Sequence, residues 1–222
     1  MSESTTHMRR EIVEIPQAVA RLLDADAATA SAASRLREAA PRFLTTVARG
    51  SSDHAASFLK YAMELTAGIP VASLGPSIAS IYGAKLKLRD SACLAISQSG
   101  KSPDIVAMAK SARAGGALTI ALTNTAGSPL AEASDCAIDI LAGAEKSVAA
   151  TKSFVNSAVA GLSLLAHWTG DTDSPPPLAG CRNRCGARSS ATGWRSAARC
   201  RAKARCSSWD VGRPSRSPSK RR

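Results

Sequence analysis

Five short apolar runs, each separated from the next by a polar turn and a helix-length segment, limit what this chain can fold into more than any other feature. The runs span residues 43–48, 70–74, 92–97, 117–122 and 136–140. Between and after them, helical patterns are predicted at 53–66, at 77–83, at 103–114, from Pro129, and at 148–168. Parallel strands cannot be joined by tight hairpins, so a strand–helix–strand rhythm is the signature of a parallel sheet whose crossovers are helices. The runs are rich in Ala, Val, Ile and Leu with little polar alternation, as strands buried on both faces require. The expected fold class is therefore α/β, a three-layer αβα sandwich around a five-stranded parallel sheet. Ahead of it, Ile12, Ile15, Val19, Leu22 and Leu23 share one helical face, with Pro16 read as a first-turn position, and a second helix is predicted from Ala27 to Glu38. Residues 1–42 thus form a helical lead-in to a domain at 43–170.

Two turns in this pattern carry chemistry. Ser97-Gln98-Ser99-Gly100-Lys101-Ser102 follows an apolar run and opens onto Pro103-Asp104; Arg49-Gly50-Ser51-Ser52 follows another and opens onto a helix read as starting at Asp53. A hydroxyl-rich turn between a buried strand and a helix N-terminus offers unpaired backbone N–H groups, the positive end of the helix dipole and side-chain donors to one anion. Open parallel sheets bind ligands outside the carboxyl ends of their strands, so the two turns are expected to converge on one phosphate. Ser51, Ser52, Ser97, Gln98, Ser99 and Ser102 are the candidate donors. Neither turn matches GxxxxGK[ST] or GxGxxG, so the expected ligand is a small monophosphate, with no cofactor and no metal.

Simpler roles compete at each position. Ser102 before Pro103 and Ser52 before Asp53 are also ordinary N-caps. Ser52, Asp53 and His54 cannot act as a hydrolase triad, because successive residues at a helix start point in different directions. A third loop, Ala142-Gly143-Ala144-Glu145-Lys146-Ser147, should border the same crevice before the last helix opens at Val148. Glu145 is its only carboxylate and a weak candidate for acid/base catalysis. Lys152, in the first turn of that helix, is another weak catalytic candidate, with a solvated lysine as the simpler role.

The net charge of +12 would suggest nucleic acid as a partner, but residues 1–174 hold 16 basic and 16 acidic residues and are neutral. The excess sits in residues 175–222, with 13 Lys+Arg against the single acid Asp210, four of the six cysteines and two of the three tryptophans. This stretch has no apolar period and opens with Pro175-Pro176-Pro177, so a disordered basic tail is expected over 171–222. A nucleic-acid arm would show Lys/Arg blocks, and a zinc site from Cys181, Cys185, Cys200 and Cys206 has unsuitable spacings and no histidine. The reading adopted is an out-of-frame translation. If Cys206–Arg222 uses TCN serine and CGN arginine codons, the bases read two nucleotides on encode a buried strand, a Gly-Arg-Gly-like turn and an apolar helix, the plan of Thr45–Ala56. Nucleic acid is accordingly not expected as a partner.

Cys93 and Cys136 lie inside apolar runs as small hydrophobes of a reducing compartment. The opening Met1-Ser2-Glu3-Ser4 lacks a signal-peptide pattern, and no stretch reaches 18 apolar residues. A cytoplasmic location without membrane contact is expected.

The segments Arg49-Gly50-Ser51-Ser52, Ser97-Gln98-Ser99-Gly100 and Val148-Ala149-Ala150-Thr151-Lys152-Ser153-Phe154 resemble the signatures of the sugar isomerase (SIS) domain family over about residues 8–170. The likeness is strongest to the isomerase half of glutamine:fructose-6-phosphate aminotransferases and to SIS-type glucosamine-6-phosphate deaminases; Met8-Arg9-Arg10-Glu11-Ile12 with Pro16 resembles the start of that half. The resemblance implies a flavodoxin-like fold and phosphate binding by Ser51, Ser52, Ser97, Gln98, Ser99 and Ser102, with Val148 and Ala149 lining the sugar. It implies a hexose or amino-sugar phosphate as partner and a homodimer for the intact protein. Lys101 stands where the synthases carry an acid, and Ala150 where they carry serine. Arg49-Gly50-Ser51-Ser52-Asp53-His54-Ala55 and Lys101-Ser102-Pro103-Asp104 are closer to the deaminases. With Ser2 after Met1 and no amidotransferase segment ahead of the sugar domain, free ammonia or none is expected rather than glutamine, favouring deamination or aldose–ketose isomerisation. The expected reaction is interconversion of glucosamine 6-phosphate with fructose 6-phosphate and ammonia. The family's ring-opening and proton-transfer glutamate, histidine and lysine belong to a second SIS half, which the tail replaces. The alternatives are the isomerase portion of a glutamine–fructose-6-phosphate aminotransferase and a non-catalytic sugar-phosphate sensor.

Overall fold

The computed structural model describes residues 6–170. The expectations for 171–222, including the zinc alternative, lie outside the described residues. Twelve elements are described within them: α1 (His7–Asp24), α2 (Ala27–Ala39), β1 (Phe43–Val47), α3 (Ser51–Ala67), β2 (Val71–Ser73), α4 (Ser77–Ser80), β3 (Ser91–Ile96), α5 (Pro103–Ala114), β4 (Leu118–Thr123), α6 (Pro129–Ala133), β5 (Cys136–Asp139) and α7 (Lys152–Thr169). The strands form one sheet in the order β2-β1-β3-β4-β5, every pair parallel. The α/β sandwich expected from the apolar runs is the architecture found.

The chain steps outward from β1 to β2, then returns to the other side of β1 with β3 and continues to β5. Parallel crossovers are right-handed, so reversing the direction of travel moves the connecting helices to the opposite face. The two cores show this. On one face α7 packs with α1, α2 and α3 over Leu44, Leu94, Ile96, Ile120 and Leu122. On the other, α5 and α6 cover Val47, Cys93, Ala95 and Ala121.

The strands therefore alternate in size rather than polarity. Leu94 and Ile96 face the larger core, while Cys93 and Ala95 face the other. Small residues there meet Ala109 and Ala112 of α5, all fully buried, which lets that helix lie close to the sheet. The larger core holds fully buried side chains such as Leu36, Leu59, Met63 and Leu164, each stabilising by roughly 2 kcal/mol on burial.

The lead-in helices are part of this domain's packing. Val19 and Leu22 of α1 and Leu36 of α2 belong to the larger core, against α7. Pro16 corrects the sequence reading: it lies inside α1, whose N-cap is Thr6, the hydroxyl accepting from Arg9 N at 3.2 Å. A proline mid-helix removes one backbone bond and costs about 3 kcal/mol in an isolated helix. Here α1 continues because its buried Ala18, Val19 and Leu22 lie beyond the proline.

Among the described residues, no helix is long and apolar enough to cross a membrane.

Candidate functional site

Strand pairing brings the two hydroxyl turns to one rim. Val47 at the end of β1 pairs with Ala95 of β3, so Arg49 and Ser97 leave the sheet side by side. This is also where the strand order reverses, the place at which an open parallel sheet offers a crevice. A direct tie joins the turns: Arg49 Nη1 lies 2.8 Å from Asp104 Oδ2 in the first turn of α5. The contact is close but poorly directed for a hydrogen bond. Its effect is to neutralise a carboxylate that would otherwise repel an anion at the start of α5.

Both turns depend on a glycine in a left-handed conformation. Gly50, at φ 56° and ψ −132°, is the N-cap of α3, a combination open essentially to glycine alone. The helix consequently begins at Ser51, two residues before the predicted start. Ser51 and Ser52 are its first two residues rather than caps, so their own N–H groups belong to the unpaired set at the helix start. Gly100, at φ 62°, is hemmed in as well: a Cβ there would come within 2.5 Å of Ser128 Cβ and 2.8 Å of Thr123 Oγ1. Its N–H donates to Ser97 O at 3.2 Å and its carbonyl accepts from Leu130 N at 3.0 Å. The Ser97–Ser102 turn is thereby fixed to α6.

Around this turn the candidate donors differ in exposure. Ser97 is buried, and its N–H extends the ladder to Leu122 O at 3.0 Å. Gln98, Ser99 and Ser102 are half-buried. Ser99 Oγ accepts from Lys101 N at 3.3 Å. Ser102 occupies the N-cap of α5 with Pro103 at the first helical position, yet its side chain makes no capping hydrogen bond. Ser128, by contrast, caps α6 in the ordinary way, accepting from Ala131 N. His54 is exposed in the first turn of α3.

The third loop is longer than predicted. α7 starts at Lys152 rather than Val148, because Glu145 caps it from inside the loop: its carboxylate accepts from Thr151 N (2.8 Å), Thr151 Oγ1 (2.9 Å), Ser153 N (3.4 Å) and Ser153 Oγ. Burial pushes the Glu145 carboxyl upward, but the bonds from Ser153 and Thr151 outweigh it and hold the group below the usual carboxylate range. Glu145 serves as an N-terminal cap with its acceptors already engaged. Lys152 is not solvated. It is 3% exposed, with Nζ 2.5 Å from Glu14 Oε2 and donating to Ala144 O at 2.7 Å. Val148 and Ala149 stand exposed between these fixed points. An open, polar cleft of about 510 Å³ lies alongside, lined by Gln98, Asn124, Asp139, Gly143 and Glu145 at the carboxyl ends of β3, β4 and β5, together with Arg21 of α1. A second cleft, of about 490 Å³, sits at the amino ends of β1–β3 around Arg42, Pro70 and Arg89, with none of the hydroxyl turns.

The family model described as the SIS domain matches residues 40–167. The chain belongs to the SIS domain family. Among curated proteins, it is 38% identical over 173 residues to the glutamine–fructose-6-phosphate aminotransferase [isomerizing] of Symbiobacterium thermophilum, covering 73% of this chain and 28% of that protein. Among solved structures, a protein of Silicibacter pomeroyi DSS-3 described as a phosphosugar isomerase is 59% identical with a TM-score of 0.74, covering 82% of this chain and 54% of that one. The C-terminal domain of glucosamine-fructose-6-phosphate aminotransferase from Francisella tularensis is 25% identical with a TM-score of 0.70, covering 83% and 55%. This SIS chain thus spans about half the length of those solved structures and little more than a quarter of that curated relative. Its sheet, site rim and third loop all lie in a sugar-isomerase domain like the isomerase half of the aminotransferases.

Glu11, Glu14 and Arg21 of α1 were missed in the sequence reading. Glu11 and Arg21 reach the third loop and Glu14 reaches Lys152 at the start of α7, each from more than 100 residues away in the chain. The signal available was their spacing, which aligns them on α1 with Ala18; of the three only Glu11 is buried.

Proposed function

We propose that this SIS chain binds a hexose or amino-sugar 6-phosphate, with the phosphate held by Ser51, Ser52, Ser97, Gln98, Ser99 and Ser102 and the sugar lying along Val148 and Ala149. The observation that carries this is the meeting of two hydroxyl-bearing helix starts, those of α3 and α5, at the β1/β3 reversal, with Arg49 tied to Asp104. Two helix N-termini aimed at one point favour a dianion more than either alone. The reaction proposed for the intact enzyme is interconversion of glucosamine 6-phosphate with fructose 6-phosphate and ammonia, by ring opening and proton transfer between C1 and C2. The closer likeness of the Arg49–Ala55 and Lys101–Asp104 segments to the deaminases supports it. A second reading, the isomerase portion of a glutamine-dependent aminotransferase, is favoured by the curated relatives, of which the Symbiobacterium enzyme is one.

Glu145 and Lys152 are proposed as supports of the site rather than as acid, base or nucleophile, since their polar atoms are occupied by Thr151, Ser153, Glu14 and Ala144. The out-of-frame reading of 171–222 belongs to the same proposal. Resequencing the codons for 170–185 tests that part.

The binding claim is tested by thermal shift of the full 222-residue chain with fructose 6-phosphate, glucosamine 6-phosphate and N-acetylglucosamine 6-phosphate. Stabilisation by at least one of the three, lost in Ser99→Ala, is the expected result. No shift with any of them, or a shift that Ser99→Ala leaves intact, overturns the assignment.

A further inference from the structure

We infer that α1 is a positioning element for the sugar-facing span Val148–Ala150, acting through Glu11 and Glu14; the inference rests on the sugar-phosphate reading above. Glu11 is 5% exposed, and a buried carboxylate needs strong partners. It has them in the loop: Oε1 accepts from Lys146 N at 2.5 Å and from Ser147 N at 3.3 Å, and Oε2 lies 3.3 Å from Ser147 N. One helical turn along, Glu14 pairs with the buried Lys152, whose ammonium also holds Ala144 O. Farther along α1, Arg21 donates to Leu141 O at 3.3 Å.

The pattern of fastening is what gives α1 a functional role. The strand-side part of the loop is held by Arg21, by Asn124 (to Gly143 O at 2.7 Å and from Ala142 N at 2.8 Å), by Lys152 and by Glu11. The helix-side part is held by Glu145 through Thr151 and Ser153. Val148, Ala149 and Ala150 lie between the last amide taken by Glu11 and the first taken by Glu145, and Val148 is fully exposed. Because Glu11 draws the amides of Lys146 and Ser147 toward α1, the chain enters the span from a fixed point, and Glu145 fixes its exit. A three-residue bridge anchored at both ends has few conformations, which lowers the entropy lost when a sugar is placed against it. None of these hydrogen bonds of Glu11 or Glu14 goes to the phosphate cradle at β1 and β3.

That separation supplies the test. In the full chain, Glu11→Ala is expected to weaken fructose 6-phosphate binding by roughly tenfold while leaving inorganic phosphate within about twofold of wild type. Glu14→Gln should shift the sugar phosphate in the same direction by less and, because the amide oxygen still accepts from Lys152 Nζ, it is the second variant should Glu11→Ala fail to fold. Hydrogen exchange without ligand should show faster exchange at residues 146–150 in the folded variants. Equal losses for sugar phosphate and inorganic phosphate, or unchanged exchange in the loop, would overturn the positioning role. If wild type binds inorganic phosphate but none of the sugar phosphates, the functional reading falls and the positioning role with it. Faster loop exchange would then still show the clasp as a structural device, so the two failures are told apart.

Discussion

The two hydroxyl turns and the third loop stand at the same end of the sheet but use their polar groups in opposite ways. In the turns, Ser102 occupies a cap position without capping, and Ser51 and Ser52 sit just inside a helix whose cap is a glycine. Around the third loop, Glu11 of α1, Asn124 after β4, Glu145 of the loop itself and Lys152 of α7 all have charged or polar atoms engaged in holding backbone. Polar groups at a helix start that do no capping are available to a ligand; those that close a loop are not. The contrast separates binding residues from supporting ones where residue type alone does not, since serines and carboxylates occur in both regions.

The hardest blow to this comparison is Gly100→Ala. Both the left-handed φ and the overlap with Ser128 and Thr123 oppose a side chain, and together they should cost about 3 kcal/mol of folding stability, measured by urea denaturation. The ligand response should vanish with it. A variant of near wild-type stability would mean that the turn is not held by α6 as described. Next in size, Ser102→Ala should weaken sugar-phosphate binding roughly tenfold with less than about 0.5 kcal/mol lost in stability. Ser128→Ala is its mirror: about 1 kcal/mol of stability lost and ligand affinity kept, because that hydroxyl is committed to Ala131 N. Calorimetry and denaturation on this pair sharpen the contrast between the two kinds of serine.

Much of the fold was legible because burial on both faces leaves long apolar runs, and all five strands fall within a residue or two of the predicted bounds. The helix starts were less legible. α3 begins early because Gly50 takes a conformation no other residue accepts readily, and a glycine before two serines reads equally well as part of a loop. α7 begins late because its cap comes from Glu145, six residues ahead of Thr151, rather than from the three-residue spacing of a capping box. Pro16 was read as a helix start by the usual preference, which the packing of α1 overrides. Lys152 looked solvated because its partner Glu14 is 138 residues away, and nothing local announces such a pair. The turns at 50–52 and 97–102 were visible since each lies at the end of an apolar run; the clasp from α1 was not, since it is purely tertiary.

The smallest expected effect concerns the supporting side of the comparison and depends on pH. Glu145 has its carboxyl held below the usual range: burial works against ionisation, but the donors on Ser153 and Thr151 prevail. A carboxyl whose folded value is depressed contributes stability that is present above its unfolded value, about 4.3, and is lost as pH falls through the lower folded value. Glu145→Gln removes the charge at every pH and keeps an oxygen to accept from Thr151 N. The variant should therefore be less stable than wild type at pH 7 by no more than about 1 kcal/mol, because solvent still reaches this half-buried loop. That difference should shrink as pH is lowered from about 5 toward 3, where the wild-type carboxyl also becomes neutral. Denaturation midpoints across that range measure it. A gap that stays constant with pH would mean that the carboxylate charge does not hold the start of α7, and a gap that widens would reverse the sign of the argument.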